Sequence, residues 1–149
     1  MNRILTPFKG IDNNYLLYQS ISETISRIEK DGETYVKEIW LNEDCDNQVP
    51  WTILRTSSGM NFFFANDKLF KIYVSTGFQG SLSNGIKIGM KMNDATKLDS
   101  SLKYDDWEED WQSSNGYWIE DDPADNTVLT ITIFIKELLN DELFEQYNW

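Results

Sequence analysis

The chain has 149 residues, and 13 Lys and Arg against 25 Asp and Glu give it a formal net charge of −12. Because such a chain repels phosphate backbones and anionic lipid surfaces, we expect no direct binding to nucleic acid or to a membrane. The sequence holds no His and one Cys, which excludes His-based catalytic triads, imidazole zinc sites and internal disulfides.

The length predicts one domain, residues 1–149. Residues 1–10 contain two basic side chains but no apolar run of signal-peptide length, and no stretch is apolar enough to span a membrane. We therefore expect a cytoplasmic protein. Cys45 lies between Asp44 and Asp46, whose charges disfavour a thiolate, and we expect it in a polar loop at 42–48 without a reactive role.

Apolar periodicity predicts one helix and then four strands in the first half. Leu17, Ile21, Ile25 and Ile28 recur at helical spacing, and Asp31-Gly32 ends the helix. Alternating β-branched and aromatic residues predict strands over 34–40, 51–55, 60–64 and 68–74. The strand at 60–64 contains three consecutive Phe residues, which indicates burial on both faces. Strands so close in sequence favour antiparallel pairing.

The second half repeats this order of elements. Asn93 is predicted to cap a short helix with Ala95, Leu98 and Leu102 on its apolar side. Strands are predicted at 107–111, 117–120 and 128–135, followed by a terminal helix over 136–147.

The order of elements defines the expected fold. In each half, a helix precedes a charged strand that ends in a Trp, which is Trp40 in the first half and Trp111 in the second. A further strand then carries Trp51 in the first half and Trp118 in the second. Few residues are identical between the two halves, so the repeat supports the fold class alone. We predict an α+β domain with a mostly antiparallel sheet, a few short helices and an order compatible with two helix-plus-meander halves.

Negative charge is concentrated in one segment. From Tyr104 to Ile135 there is no Lys or Arg, and nine acids carry −9 of the net −12. Trp and Tyr residues are interleaved with these acids, and rigid aromatic side chains among charges are typical of protein interfaces. The candidate partner-binding residues are Asp105, Asp106, Trp107, Glu108, Glu109, Asp110, Trp111, Trp118, Glu120, Asp121 and Asp122.

A strand through 105–111 would divide these side chains between two faces. Trp107, Glu109 and Trp111 would then pack inward, and Asp106, Glu108 and Asp110 would form an exposed ridge.

Three other interpretations of the acids stay open. They can be a solvated loop with its Trp residues in the core, or two of them can serve a glycoside hydrolase or a metal-dependent hydrolase. An acidic nucleic-acid mimic that acts as an adaptor is the third. No EF-hand or phosphate-loop spacing is present, so we expect no metal, no cofactor and no enzymatic activity.

The sequence resembles immunity proteins of bacterial polymorphic toxin systems, with contact-dependent growth inhibition loci as the closest setting. The similarity extends over about residues 50 to 135. The segments that carry it are Trp51, 63–72 (FFANDKLFKI), 78–90 (FQGSLSNGIKIGM), 104–107 (YDDW) and 116–120 (GYWIE).

The resemblance implies a small bacterial cytosolic protein that binds the C-terminal domain of a toxin, often a nuclease, and blocks its active site. Some such pairs associate by addition of a toxin strand to the sheet. The charge agrees with this class, since nucleases are basic and an acidic inhibitor is steered towards them. We expect a 1:1 complex with a toxin domain and a chain that is monomeric or weakly self-associating.

Overall fold

The computed structural model describes residues 2–41 and 49–149 and shows the predicted α+β fold, mostly antiparallel with a few short helices. The first strands and helix are β1 (Arg3–Thr6), β2 (Gly10–Ile11), β3 (Tyr15–Leu16), α1 (Ile21–Lys30), β4 (Tyr35–Trp40), β5 (Trp51–Thr56), β6 (Met60–Ala65), β7 (Lys68–Val74) and β8 (Gly80–Leu82). The remaining elements are α2 (Met92–Leu98), β9 (Lys103–Asp105), β10 (Asp110–Ser113), β11 (Tyr117–Asp122), β12 (Thr127–Phe134), a 3₁₀ helix (Lys136–Leu139) and α3 (Asp141–Glu145).

Eight strands form one antiparallel sheet in the order β4-β5-β6-β7-β12-β11-β10-β9. The first half, α1 with the meander β4–β7, joins the second half, α2 with the meander β9–β12, where their last strands pair. The element order is therefore the predicted helix-plus-meander repeat. The residue correspondence is wrong, because Trp40 lies on the first strand of its meander and Trp111 on the second.

A second, four-stranded sheet in the order β3-β2-β1-β8 covers one face of the larger sheet. The Tyr15 ring of β3 lies 4.9 Å from the Phe62 ring of β6, so we name the face that carries Phe62 the inner face. The Asp31 carboxylate at the end of α1 accepts hydrogen bonds from Arg3, at 2.9 Å, and from the Tyr15 hydroxyl. These contacts fix α1 to the small sheet. The sequence predicted neither this sheet nor its parallel pair β1–β8.

The hydrophobic core includes residues of both halves and lies on both faces of the large sheet. One part lies between the two sheets; on the outer face, the Trp51 ring lies 6.3 Å from the rings of Phe63 and of Phe144 in α3. All six residues of β6 are buried, which confirms the prediction made from its three Phe residues. Ile72 of β7 and Ile133 of β12 are paired and fully buried, so the core is continuous across the junction of the meanders.

The structure corrects three details of the predicted helices. Lys91, not Asn93, is the N-cap residue of α2, and it provides no side-chain cap. The predicted helix 136–147 is divided, because the Asn140 side chain accepts from Leu143 N and starts α3 after the 3₁₀ helix. The predicted first helix begins after Leu17, at Ile21. The predicted polar loop at 42–48, which contains Cys45, lies outside the described residues. Within the described residues, no helix is long and apolar enough to span a bilayer.

A buried carboxylate ties α2 to the hairpin of β10 and β11. Asp99, only 6% exposed, accepts hydrogen bonds from the side chains of Ser101, Ser113, Asn115 and Tyr117. Burial alone would raise the pKa of Asp99, but these donors stabilise the ionised form and hold that pKa well below its ordinary value.

We expect Asp99→Asn to lower the free energy of unfolding by about 2 kcal/mol at pH 7. The carboxylate now accepts hydrogen bonds from hydroxyl groups on both of its oxygens, whereas the amide would replace one of these acceptors by an N–H donor. Because the folded-state pKa is depressed, this stabilisation is complete above the ordinary carboxyl pKa of 3.8 and declines as the pH falls below it. Urea unfolding at pH 7 and at lower pH measures the difference. Asp106→Asn, which removes the same charge from an exposed position, is the control and should change stability little.

Candidate functional site

The sheet topology gathers the predicted acids at one end of the second meander. In consecutive antiparallel strands every second turn lies at the same end, so the turn from β9 to β10 lies beside the turn from β11 to β12. We name residues 106–109 the acidic turn; Glu120, Asp121 and Asp122 end β11 next to it. The two acidic stretches therefore form one surface.

The acidic turn replaces the strand that the sequence predicted through 105–111. The Asp105 carboxylate accepts hydrogen bonds from the backbone N–H groups of Trp107 and Glu108, each at 2.9 Å. Glu109 adopts a left-handed conformation with φ of 57°. An Asp side chain that caps a turn in this way competes with strand pairing, so the predicted alternation of faces is wrong.

The three Trp residues of the candidate site take three different positions. Trp107, predicted to pack inward, lies in the acidic turn and is 91% exposed. Trp111 lies on the inner face beside Tyr104, with ring centroids 5.5 Å apart. Trp118 lies on the outer face, 4.2 Å from the ring of Phe134. Only Trp107 is free to be buried almost completely by a partner.

Carboxylates stand side by side on the outer face of the second meander. Asp105 of β9 is paired directly opposite Asp110 of β10. Glu120 of β11 lies two residues beyond Trp118, on the same face, and its charge acts on Asp110. Like charges opposite each other on neighbouring strands are destabilising. Among the described residues none of the three forms an ion pair.

Desolvation and neighbouring charges raise the pKa values of two side chains on this surface. Partial burial, together with the charges of Glu108, Asp105 and Glu120, holds the pKa of Asp110 above its ordinary value. Desolvation and the surrounding acids also raise the pKa of Tyr104. After desolvation, the neighbouring carboxylates contribute to both shifts, and a nearby cation would relieve that contribution.

The outer face of the first meander has the opposite character, since Arg55 is ion-paired with Glu38 and Lys71 lies over aromatic rings. The Arg55 guanidinium donates to Glu38 at 3.0 Å and to the Tyr73 hydroxyl at 2.8 Å. Lys71 lies 4.3 Å from the centroid of the Phe63 ring, and burial lowers the pKa of its ammonium group. The acidic surface is therefore confined to one half of the sheet.

The described residues provide little for metal or acid–base chemistry. No group of three metal-ligating side chains is found within 2–41 and 49–149. An open groove of about 570 Å³ follows β9 and is lined by Ser101, Lys103, Tyr104, Asp105, Gln112, Ser113 and Ser114. Its single carboxylate, Asp105, has no second acid across the groove, whereas glycosidase chemistry needs two.

Two residues of this surface are not among the candidates predicted from the sequence, although Asp125 is one of the nine acids of the segment. Tyr104 is 46% exposed beside the acids, and Asp125 extends the acidic end through the turn after β11. Asp125 caps Thr127, whose hydroxyl donates at 2.6 Å. The pair Asp125-Asn126 is a turn signal that could have located this position.

Comparison of the chain with protein-family models, curated proteins and solved structures finds no significant match.

We expect Asp110→Asn to stabilise the protein at pH 7 by about 0.2–1 kcal/mol, because it removes one of two opposed carboxylates that solvent partly screens. The folded-state pKa of Asp110 is raised, so the repulsion is present above that pKa and disappears as the pH falls towards 3.8. The gain should therefore vanish near pH 4 in urea unfolding.

Asp125→Asn is the control for this change. Hydrogen bonds from Thr127 lower the pKa of Asp125, so removal of its charge should destabilise. A gain of equal size from both substitutions would show a general effect of net charge and would contradict the local repulsion.

Proposed function

We propose that the protein is an immunity protein of a bacterial toxin system, which binds the toxin's C-terminal domain and occludes its active site. The observation that carries the proposal is the exposed Trp107 in the acidic turn, among acids without a described ion pair. An aromatic anchor within unpaired charge is the composition of a binding hot spot for a basic partner. The resemblance of residues 50 to 135 to immunity proteins supports the same class.

The charge distribution favours a nuclease as the toxin. A nuclease presents a basic cleft to phosphate groups, and the acidic end offers carboxylates on neighbouring strands about 4.8 Å apart. Asp105, Asp110 and Glu120 thus provide a closely spaced row of negative charge to such a cleft. Trp107 projects beyond this row from the acidic turn and would enter the cleft first.

The protein acts by binding in this proposal, in the bacterial cytoplasm, with one toxin domain per chain and without a cofactor. Co-expression with the toxin gene next to its own, followed by co-purification and a growth-protection assay, tests it directly. Glycoside or phosphoester hydrolysis by the purified chain, lost in Asp110→Asn, would favour the enzyme instead. Binding to basic DNA-associated proteins without protection from a toxin would favour the adaptor.

We expect the association rate with the toxin domain to fall steeply with salt, because the screening length shrinks from about 10 Å at 0.1 M to about 3 Å at 1 M. The triple change Asp106→Asn, Glu108→Gln and Asp110→Asn should lower the rate at low salt about tenfold and flatten its salt dependence. Stopped-flow or surface-based kinetics at several ionic strengths measure both effects.

The matched control changes three exposed acids elsewhere: Glu29→Gln, Glu142→Gln and Glu145→Gln. It alters the net charge equally but leaves the acidic turn intact. Equal effects of both triple variants would place the interface elsewhere, and an unchanged rate in the first would exclude the acidic end from steering.

We expect Trp107→Ala to weaken toxin binding by at least about 2 kcal/mol, since an anchoring Trp buried by a partner is a typical hot spot. The free energy of unfolding should not change, because the ring is 91% exposed in the free protein. Calorimetric titration and urea unfolding separate these effects. Leu139→Ala, at another exposed apolar position, should leave binding unchanged.

A further inference from the structure

Two turns of the chain share one sequence and one geometry. Residues 83–85, directly after β8, and residues 114–116, between β10 and β11, both read Ser-Asn-Gly. Gly85 and Gly116 have φ angles of 95° and 92°, and their N–H groups donate to the carbonyl oxygen three residues earlier, at 2.9 Å and 3.2 Å. Glycine adopts this conformation without strain. The sequence contains no other Asn-Gly pair.

The side-chain amides of both turns donate into the hydrogen-bond network around Asp99. Asn115 Nδ2 donates to Asp99 Oδ2 at 3.1 Å. Asn84 Nδ2 donates at 3.3 Å to the Tyr117 hydroxyl, which itself donates to Asp99. Asp99 and Tyr117 are both buried, so their polar atoms depend on these partners rather than on water. The two turns, 30 residues apart in sequence, are thereby joined through one carboxylate.

We propose that Asn115 is a site of spontaneous deamidation, and that its conversion opens the Asp99 network and exposes Asn84 to the same reaction. The inference is independent of the proposed toxin inhibition, because it concerns the free chain alone.

The reaction consumes only water. The backbone nitrogen of Gly116 attacks Cγ of Asn115, the bond from Cγ to Nδ2 breaks, and the side-chain nitrogen leaves as ammonia with the proton that the backbone nitrogen gives up. Water then opens the resulting five-membered imide at one of its two carbonyl groups, which yields aspartate or isoaspartate. The reacting groups belong to adjacent residues, and glycine has no Cβ to obstruct the attack.

The surroundings of the two side chains set the order of reaction. Attack requires the Asn side chain to rotate away from its partners and the Gly N–H to leave its turn, so it proceeds through local opening. Asn115 is exposed, and its side chain makes one hydrogen bond among the described residues. Asn84 is half-buried and held at both ends, because its Oδ1 also accepts from Ile86 N at 3.1 Å. Asn115 therefore reacts first.

The product at position 115 is incompatible with the present network. Aspartate there would place a carboxylate oxygen where Nδ2 now lies, 3.1 Å from Asp99 Oδ2, and two negative charges so close in a buried site repel each other. Isoaspartate would also add one backbone carbon to a three-residue loop. When Asp99 is displaced, the Tyr117 hydroxyl loses its acceptor and no longer fixes Asn84.

Incubation of the folded chain at mildly alkaline pH, followed by peptide mapping with mass spectrometry, tests the proposal. We expect conversion at Asn115 first and at Asn84 after a lag. Asn126, an exposed Asn that precedes the β-branched Thr127, is the internal control and should stay unmodified. In urea, where both turns are open, Asn84 and Asn115 should react at similar rates.

Two substitutions of Asn115 separate the cause from the consequence. Asn115→Asp reproduces the product and should speed deamidation of Asn84 at least about tenfold, through easier local opening. Asn115→Gln keeps an amide but can close only a less favourable six-membered ring. It should stop conversion at position 115 and leave Asn84 at its slow initial rate. Asn126→Asp adds the same charge in another turn and should not change the rate at Asn84.

Circular dichroism checks that the variants fold. Conversion of Asn115 no faster than that of Asn126, or a rate at Asn84 that Asn115→Asp does not change, would overturn the proposal. An equal excess of Asn115 over Asn84 in urea would assign the order of reaction to local sequence instead of the Asp99 network, and would overturn it as well.

Discussion

The antiparallel pairing of β7 with β12 is the contact on which the rest of the structure depends, because each of these strands ends a meander and carries many of its apolar side chains. Left alone, either strand would be an exposed hydrophobic edge. Paired, they bury Ile72 against Ile133 and Val74 against Ile131 at the centre of the sheet. The first strands of the two meanders, β4 and β9, are consequently the outermost, where charged side chains and free backbone groups can stay in water.

This arrangement separates two kinds of surface by the width of the sheet. At the β4 edge, apolar side chains are exposed and the charges of Glu38 and Arg55 are paired. At the β9 edge, the opposed carboxylates of Asp105 and Asp110 are half-buried and Trp107 extends into solvent. Because salt screens electrostatic interactions over this distance, the acids at one end of the sheet have little effect on the charges at the other.

Periodicity predicted the interior strands of the fold, but it predicted neither the long-range pairing of β1 with β8 nor the turn after Asp105. The strands β5, β6, β7 and β12 follow from alternating or continuous apolar runs, whose burial is decided by local sequence. The parallel pair β1–β8 joins Arg3 to Gly80, and no local pattern contains a pairing over such a distance. The candidate acids were predicted as a group from charge alone. Their geometry was not, because the Asp105 side chain turns the backbone where strand alternation was assumed.

The two meanders differ in the residue that lies next to the carboxylates on the outer face. One row across the outer face contains Arg55 on the second strand of the first meander and Gln112 on the second strand of the other. Arg55 neutralises Glu38, whereas Gln112 only donates a hydrogen bond to Asp110 at 3.1 Å. A cation at position 112 would relieve the repulsion within the same architecture. The fold therefore permits compensation at position 112 that Gln112 does not supply, and the cation opposite it, Lys103, forms no ion pair with these acids among the described residues.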